Sequence, residues 1–436
     1  MKLFRDMPPP DPDLGFAGNI DWAAQRDPVG HRVHLVIAMI GLALIPLSSS
    51  LATIGSTPLF VYAAMRAPTI HRCWRGILAV PSILLLVLLF AWLAISITWS
   101  ADPDQGVRLM RGSRYLLLVP ALLPLMRHAP LLLGSMCAGV FLQNTVQFVM
   151  YFSRTDYFGG GLDGHPGAAS LWFILATGIL LTIPDPGRRP RTLQRAGSII
   201  PVLGVIVAAA RSTLLGMAGA LVALVGWALL RRPSGWKTIA SFGSIGLLLL
   251  VLSTTVPGSM MSERMSSAWN DAGANIPVAT DQAESAPSVE GTRLEWWRIG
   301  VASWKKAPLI GQGIASAERE IASDPRIVEI TRDERAGYYL RNDYHSLFVT
   351  ILADGGLVGA ALLLGWLATL GLQIRKTGVI APALYAGLIG YLGYSCFNTT
   401  LFSGRVLAVA IVIMAFSTHV LPESRTLREA TRDPEE

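Results

Sequence analysis

Apolar runs of roughly 14 to 25 residues recur from Leu35 to Val420, the length a helix needs to cross a bilayer. They do not alternate apolar with polar residues, which excludes the strands of a membrane barrel. Short loops rich in arginine and lysine punctuate them: Arg66/Arg72/Arg75, Arg127/His128, Arg188/Arg189/Arg191/Arg195, Arg231/Arg232/Lys237, Arg375/Lys376 and Arg425/Arg428/Arg432. Placing every basic loop in the cytoplasm requires an even number of passes between neighbouring clusters. Leu35 to Ala64 must then hold two short passes that break near Ser48-Ser49-Ser50. Ser198 to Leu230 must likewise turn near Arg211-Ser212. The pattern predicts an all-α, polytopic bundle of about 12 transmembrane helices, several of them tilted or broken.

The expected organisation is a cytoplasmic tail over 1–34, nine passes over 35–256, a large periplasmic loop over 257–344, three passes over 345–421, and a second cytoplasmic tail over 422–436. Met1 to Arg32 is polar and lacks an apolar core near its start, so no cleaved signal peptide is expected. In the large loop, Met260 to Glu290 has the composition of a mobile stretch. A helix is predicted from Thr292, with Leu294, Trp297, Val301 and Trp304 forming one apolar stripe. Pro308 and Gly311-Gln312-Gly313 end it, and a second helical piece is expected over Ile314 to Ala322. Trp92, Trp99, Trp172 and Trp227 fit interfacial anchors.

Of the 436 residues, 52% are hydrophobic and only 15% charged, as a chain solvated mostly by lipid requires. The net charge of +7 sits mostly in short loops, where it reports orientation and not nucleic-acid binding. Cys73, Cys137 and Cys396 lack the spacing of a disulfide framework or a zinc site and read as core residues.

The candidate chemistry gathers on the outer side. Arg211 lies between two apolar passes with no acidic neighbour in sequence; it is either a snorkelling interfacial residue or an anion ligand. Arg293 opens the predicted loop helix, its plainer role a surface charge paired with Glu290 or Glu295. Arg108, Arg111 and Arg114 recur every third residue, a cationic stripe suited to phosphate or to interface anchoring. His345 stands where the polar loop meets an apolar pass, preceded by Arg341, Asn342 and Asp343. Asp343 or Asn342 is a candidate cap for that pass. The helix end favours a neutral imidazole, whereas Asp343 favours the cation. Nucleotide, P-loop and metalloprotease fingerprints are absent, and neither a metal nor a cofactor is expected.

His345-Ser346, nine residues, then Gly356-Leu357-Val358-Gly359 satisfy the pattern H-[NSQ]-x9-G-x2-[GTY]. In this the chain resembles the O-antigen ligases and their polymerase relatives. Arg293 with Trp297, then Pro308, Gly311 and Gly313, resemble the R…W…P-x-x-G-x-G run of the same superfamily, and Arg211-Ser212 its Arg-Ser pair. Asp163-Gly164-His165-Pro166-Gly167 departs from the Asn-Pro-Asn-like run expected there. The resemblance implies an inner-membrane glycosyltransferase whose site faces the periplasm. An undecaprenyl-diphosphate-linked glycan would be the donor and lipid A–core oligosaccharide the acceptor. His345 would be the base, Arg211 and Arg293 would hold the diphosphate, and Arg108, Arg111, Arg114, Arg341 and Asp343 would line the substrate site. A polymerase or a protein oligosaccharyltransferase with the same donor is the alternative; a transporter fits less well, because charges are rare inside the apolar passes.

Overall fold

Long apolar runs must satisfy their own backbone groups in lipid, so helices are the required solution. The computed structural model describes residues 16–153, 161–163, 166–183, 191–233, 235–255, 289–323 and 343–418. All regular elements among these are α-helices or 3₁₀ turns. The helices that matter here are α1 (Phe16–Arg26), α2 (Pro28–Leu44), α3 (Ser49–Met65), α4 (Pro81–Ser96), α5 (Pro103–Met110), α6 (Ala129–Phe152), α7 (Pro166–Thr182), α8 (Ile199–Ala208), α9 (Arg211–Arg231), α10 (Trp236–Thr255), α11 (Val289–Lys306), α12 (Ser316–Ala322), α13 (Leu347–Ile374), α14 (Ala381–Ser395) and α15 (Gly404–Ser417). Six helical stretches are long and apolar enough to cross a membrane, or seven if the bent pair formed by α1 and α2 counts as one span. This is the architecture of a multi-pass helical membrane protein.

The predicted breaks have physical causes. Ser48 ends the α2–α3 turn and caps α3, its hydroxyl accepting from the Leu51 amide at 3.1 Å. The α8–α9 turn passes through Ala209 in a left-handed conformation (φ 49°). α8 has only 10 residues and α15 only 14, too few to span a bilayer upright. Between α5 and α6, where one of the nine passes over 35–256 is needed, the chain is a run of short pieces, 3₁₀ over Arg111–Leu117 and Leu123–His128 with an α-turn over Leu118–Leu122 between them. Pro120 and Pro124 lack the amide that a continuous helix would use there.

Tertiary contacts sort the helix ends into two sets. One end carries the Arg66–Asp27 ion pair (3.1 Å), Arg66 against His34 (3.1 Å), and Arg195 donating to the Leu181 carbonyl (3.2 Å). The other carries the α2–α3 turn, the end of α4, the start of α9, the α14–α15 connector and the start of α13. There Arg114 donates to the Thr53 hydroxyl (2.8 Å), Arg405 to the Pro46 carbonyl, and Asn398 to Ser212 (3.1 Å). α15 is buried from Arg405 to Ser417 and forms the middle of the bundle.

Two expectations about aromatic residues change. Trp172 is fully buried inside α7 instead of lying at an interface. In α11 the buried face is Trp296, Ile299 and Ser303, while Leu294 of the predicted stripe is 56% exposed. Both stripes have helical spacing, and the bundle selected the other one. Of the cysteines, Cys73 and Cys137 are core residues as expected and Cys396 is exposed.

Candidate active site

The broken helix α13 organises the site. Gly356 interrupts it with φ 65° and ψ −161°, a conformation closed to side-chain-bearing residues. The break exposes backbone groups, and the loop after α11 takes them up. The Leu357 and Val358 amides donate to the Pro308 and Leu309 carbonyls at 2.9 and 3.2 Å. In return, the Gln312 and Gly313 amides donate to the Ala353 and Asp354 carbonyls at 2.8 and 3.0 Å. A Cβ on Gly356 would lie 2.4 Å from the Leu309 carbonyl oxygen, and one on Gly311 would lie 2.3 Å from that of Asp354. The glycines of the two sequence signatures thus face one another across a single backbone clasp.

Asp354 locks this clasp from the side. Its buried carboxylate accepts from the Ser316 hydroxyl (2.6 Å) and from the Ser316 and Ala315 amides (3.1 and 3.3 Å). The end of α4 closes the third side: Trp92 donates to the Gly355 carbonyl (2.8 Å), Ser100 to that of Ile314 (2.6 Å), and the Ile314 amide to the Ser96 hydroxyl (3.0 Å).

Upstream of the clasp, α13 begins immediately after His345 and Ser346. Asp343 does not cap the helix. It accepts the His345 amide, an Asx turn that supports the left-handed backbone of His345 (φ 48°). The same Oδ1 lies 3.5 Å from Nδ1 of His345. That carboxylate faces Nδ1 and orients the ring. Nε2 is buried and receives no hydrogen bond from a described residue. Trp296 of α11 stacks on the imidazole, ring centroids 4.4 Å apart and planes 27° from parallel. Beside it, the Tyr344 hydroxyl lies 3.2 Å from that of Ser316. Burial, then the nearby Asp354 carboxylate, push the Tyr344 pKa upward, so it stays a neutral phenol.

The arginines approach from different elements. Arg293, half-buried in the first turns of α11, is within electrostatic reach of Tyr394 and Asp343; burial lowers its pKa and those two oppose the shift. Arg211 is the half-buried first residue of α9. Its neighbour Ser212 is tied to Asn398, which also donates to the Tyr394 carbonyl at 3.1 Å. Thr399 meets Thr350 of α13 at 3.1 Å, one turn beyond His345. Phe397 approaches Trp297 with centroids 5.9 Å apart. The connector 396–403 therefore binds the starts of α9, α11 and α13 together, and it brings Arg211, Arg293 and His345 to one end of the bundle.

Arg108, Arg111 and Arg114 are exposed at the same end. Arg111 and Arg114 share a 3₁₀ segment, whose three-residue turn stacks them in register. That segment packs on the connector, where a Cβ on Gly112 would lie 3.0 Å from the Phe402 carbonyl oxygen. Arg108 donates to Gln105 at 2.6 Å. Arg341, His165 and most of Met260 to Glu290 lie outside the described residues. Sequence reasoning missed Trp296, Asp354 and the Asn398-Thr399-Thr400 triplet. The triplet is a polar cluster between two apolar passes and was open to notice.

A separate apolar cavity of about 610 Å³ lies between α6, α7 and α8, lined by Leu133, Phe141, Ile179, Ile183, Leu193 and Ile200. It adjoins the C-terminal end of α7, whereas Gly167, at the other end, faces the Tyr394 ring. The cavity is therefore remote from His345.

A bundle of apolar helices with a polar, arginine-bearing end, and a further helix packed on a broken pass, defines a multi-pass membrane protein. Residues 196–364, somewhat less than half of the chain, match the family model described as O-antigen ligase. The matched stretch contains Arg211, Arg293, the clasp and His345. No curated protein matches the chain.

Proposed function

We propose that the protein is an O-antigen ligase of the bacterial inner membrane. It transfers a glycan from undecaprenyl diphosphate to lipid A–core oligosaccharide on the periplasmic face. The observation that carries this reading is the imidazole of His345, held by Asp343 and Trp296 with no described residue hydrogen-bonded to Nε2, at the bundle end that carries Arg211 and Arg293.

In the proposed step, Nε2 of His345 takes the proton of an acceptor hydroxyl. The oxygen bonds to the anomeric carbon as the bond from that carbon to the diphosphate oxygen breaks, inverting the centre. The electron pair leaves with undecaprenyl diphosphate. Arg211 and Arg293 stabilise this developing charge, and guanidinium forks match phosphate oxygens. Arg108, Arg111 and Arg114 supply a positive approach to the site, and Arg341 and Asp343 complete the substrate contacts. On this reading the arginines neutralise the diphosphate without a metal.

Purified protein mixed with undecaprenyl-diphosphate-linked glycan and rough lipopolysaccharide in EDTA is expected to form glycan-capped product. Failure with fresh substrates defeats the proposal. Elongation of the lipid-linked glycan itself would instead identify a polymerase. His345→Ala is expected to abolish transfer while donor binding persists; full turnover by that variant would remove His345 from the role of base.

A further inference from the structure

The clasp has a membrane-facing side that the transfer chemistry does not use. Below the Gly356 break, α13 runs from Leu357 to Ile374 and meets Arg375 and Lys376. At 1.5 Å per residue this segment is about 27 Å long, close to the ~30 Å thickness of a hydrocarbon core. With the two cations at one interface, the break falls at the other. Pro308 and Leu309 are hydrogen-bonded in register with Leu357 and Val358, so this loop sits at the same level.

Its outward surface is apolar. Leu309 is 66% exposed, Ile310 45%, Leu357 47% and Val358 40%. These side chains continue the exposed faces of α13 and α4, which include Leu364, Val87 and Leu88 and which a multi-pass protein turns to lipid. Just above them Trp304 donates its indole N–H to the Pro308 carbonyl at 3.0 Å, and Lys305 and Lys306 are exposed. Apolar side chains at the hydrocarbon edge, then tryptophan, then lysine, is the order of polarity across a bilayer interface.

We infer that the turn Trp304–Ile310 is inserted into the leaflet on the His345 side, with Leu309 and Ile310 among phospholipid acyl chains and Lys305 at their phosphates. The loop is thereby anchored to lipid as well as to α13. This inference stands apart from the glycosyl-transfer reading: it holds or fails whatever reaction the site performs.

Unmodified full-length protein, in nanodiscs of phosphatidylethanolamine and phosphatidylglycerol, is photolysed with a phospholipid carrying a diazirine on an upper acyl carbon. Peptide mass spectrometry should find adducts on 304–310 at least several-fold above those from a diazirine on the terminal carbon. Labelling of Leu364 and Val87 without labelling of 304–310 overturns the inference, as does equal labelling by both probes. As a second test, Leu309→Cys carrying a bimane should be quenched by spin-labelled lipid and shielded from iodide. Quenching by iodide alone overturns the insertion. A protein cross-link at Leu309 in native membranes, in place of lipid, would assign the patch to a protein partner and overturn it equally.

Discussion

At the residue scale, the site rests on how one imidazole is held. Asp343 serves His345 twice, through the backbone turn and through Nδ1. Asp343→Asn keeps an oxygen for the turn and removes the carboxylate that faces Nδ1 and orients the ring. This variant is expected to lower kcat roughly a hundredfold in single-turnover assays, with donor affinity nearly unchanged. Trp296 is 1% exposed and stacks on the same ring. Trp296→Ala should cost about 3–5 kcal/mol, read as thermal destabilisation in detergent, because it opens a cavity beneath the imidazole. Position 345 and its polar neighbours were legible in the sequence. The choice of Trp296 over Trp297 was not: either residue stripe makes an amphipathic helix, and only packing against Tyr344 and α13 decides between them.

At the scale of elements, the clasp explains why glycine occupies particular positions of the two signatures. Gly356→Ala forces a Cβ into a left-handed conformation and against the Leu309 carbonyl. It should destabilise the protein by about 2 kcal/mol or more. At Gly359 a Cβ would find its nearest atoms at 3.3 Å without a positive φ, so Gly359→Ala should change the thermal midpoint far less. Asp354→Ala strips the acceptor from two amides and one hydroxyl. A loss of about 1–3 kcal/mol is expected for each buried donor left without a partner, with faster amide hydrogen exchange over 312–317 as its local signature. A mild effect on exchange there would show that the carboxylate does not hold the loop.

At the scale of the molecule, the bundle gathers one set of turns at the His345 end and the basic loops, where described, at the other. Glu318 is exposed on α12, and Glu318→Cys should react with an impermeant thiol reagent from the periplasmic side. Labelling only from the cytoplasm would reverse the orientation. Arg211 tests the electrostatics of the assembled site. Arg211→Ala should weaken donor binding or turnover, and Arg211→Lys should recover only part, since an ammonium lacks the two-pronged geometry. Unchanged kinetics in both would return Arg211 to interfacial snorkelling.

The sequence by itself determined the helical class and the breaks at Ser48 and beside Arg211. Bilayer thickness, backbone hydrogen bonding and the placement of charge act locally along the chain, so they can be read locally. What the tertiary structure decided is which residues meet. The Ser212–Asn398 bond joins positions 186 residues apart, and the Ser316–Asp354 bond positions 38 apart. No periodicity encodes such pairs, because they depend on how helices pack once lipid has fixed their lengths. The same packing divided α13 at Gly356 into a segment below the clasp and a segment above it that begins at Leu347, two residues past His345.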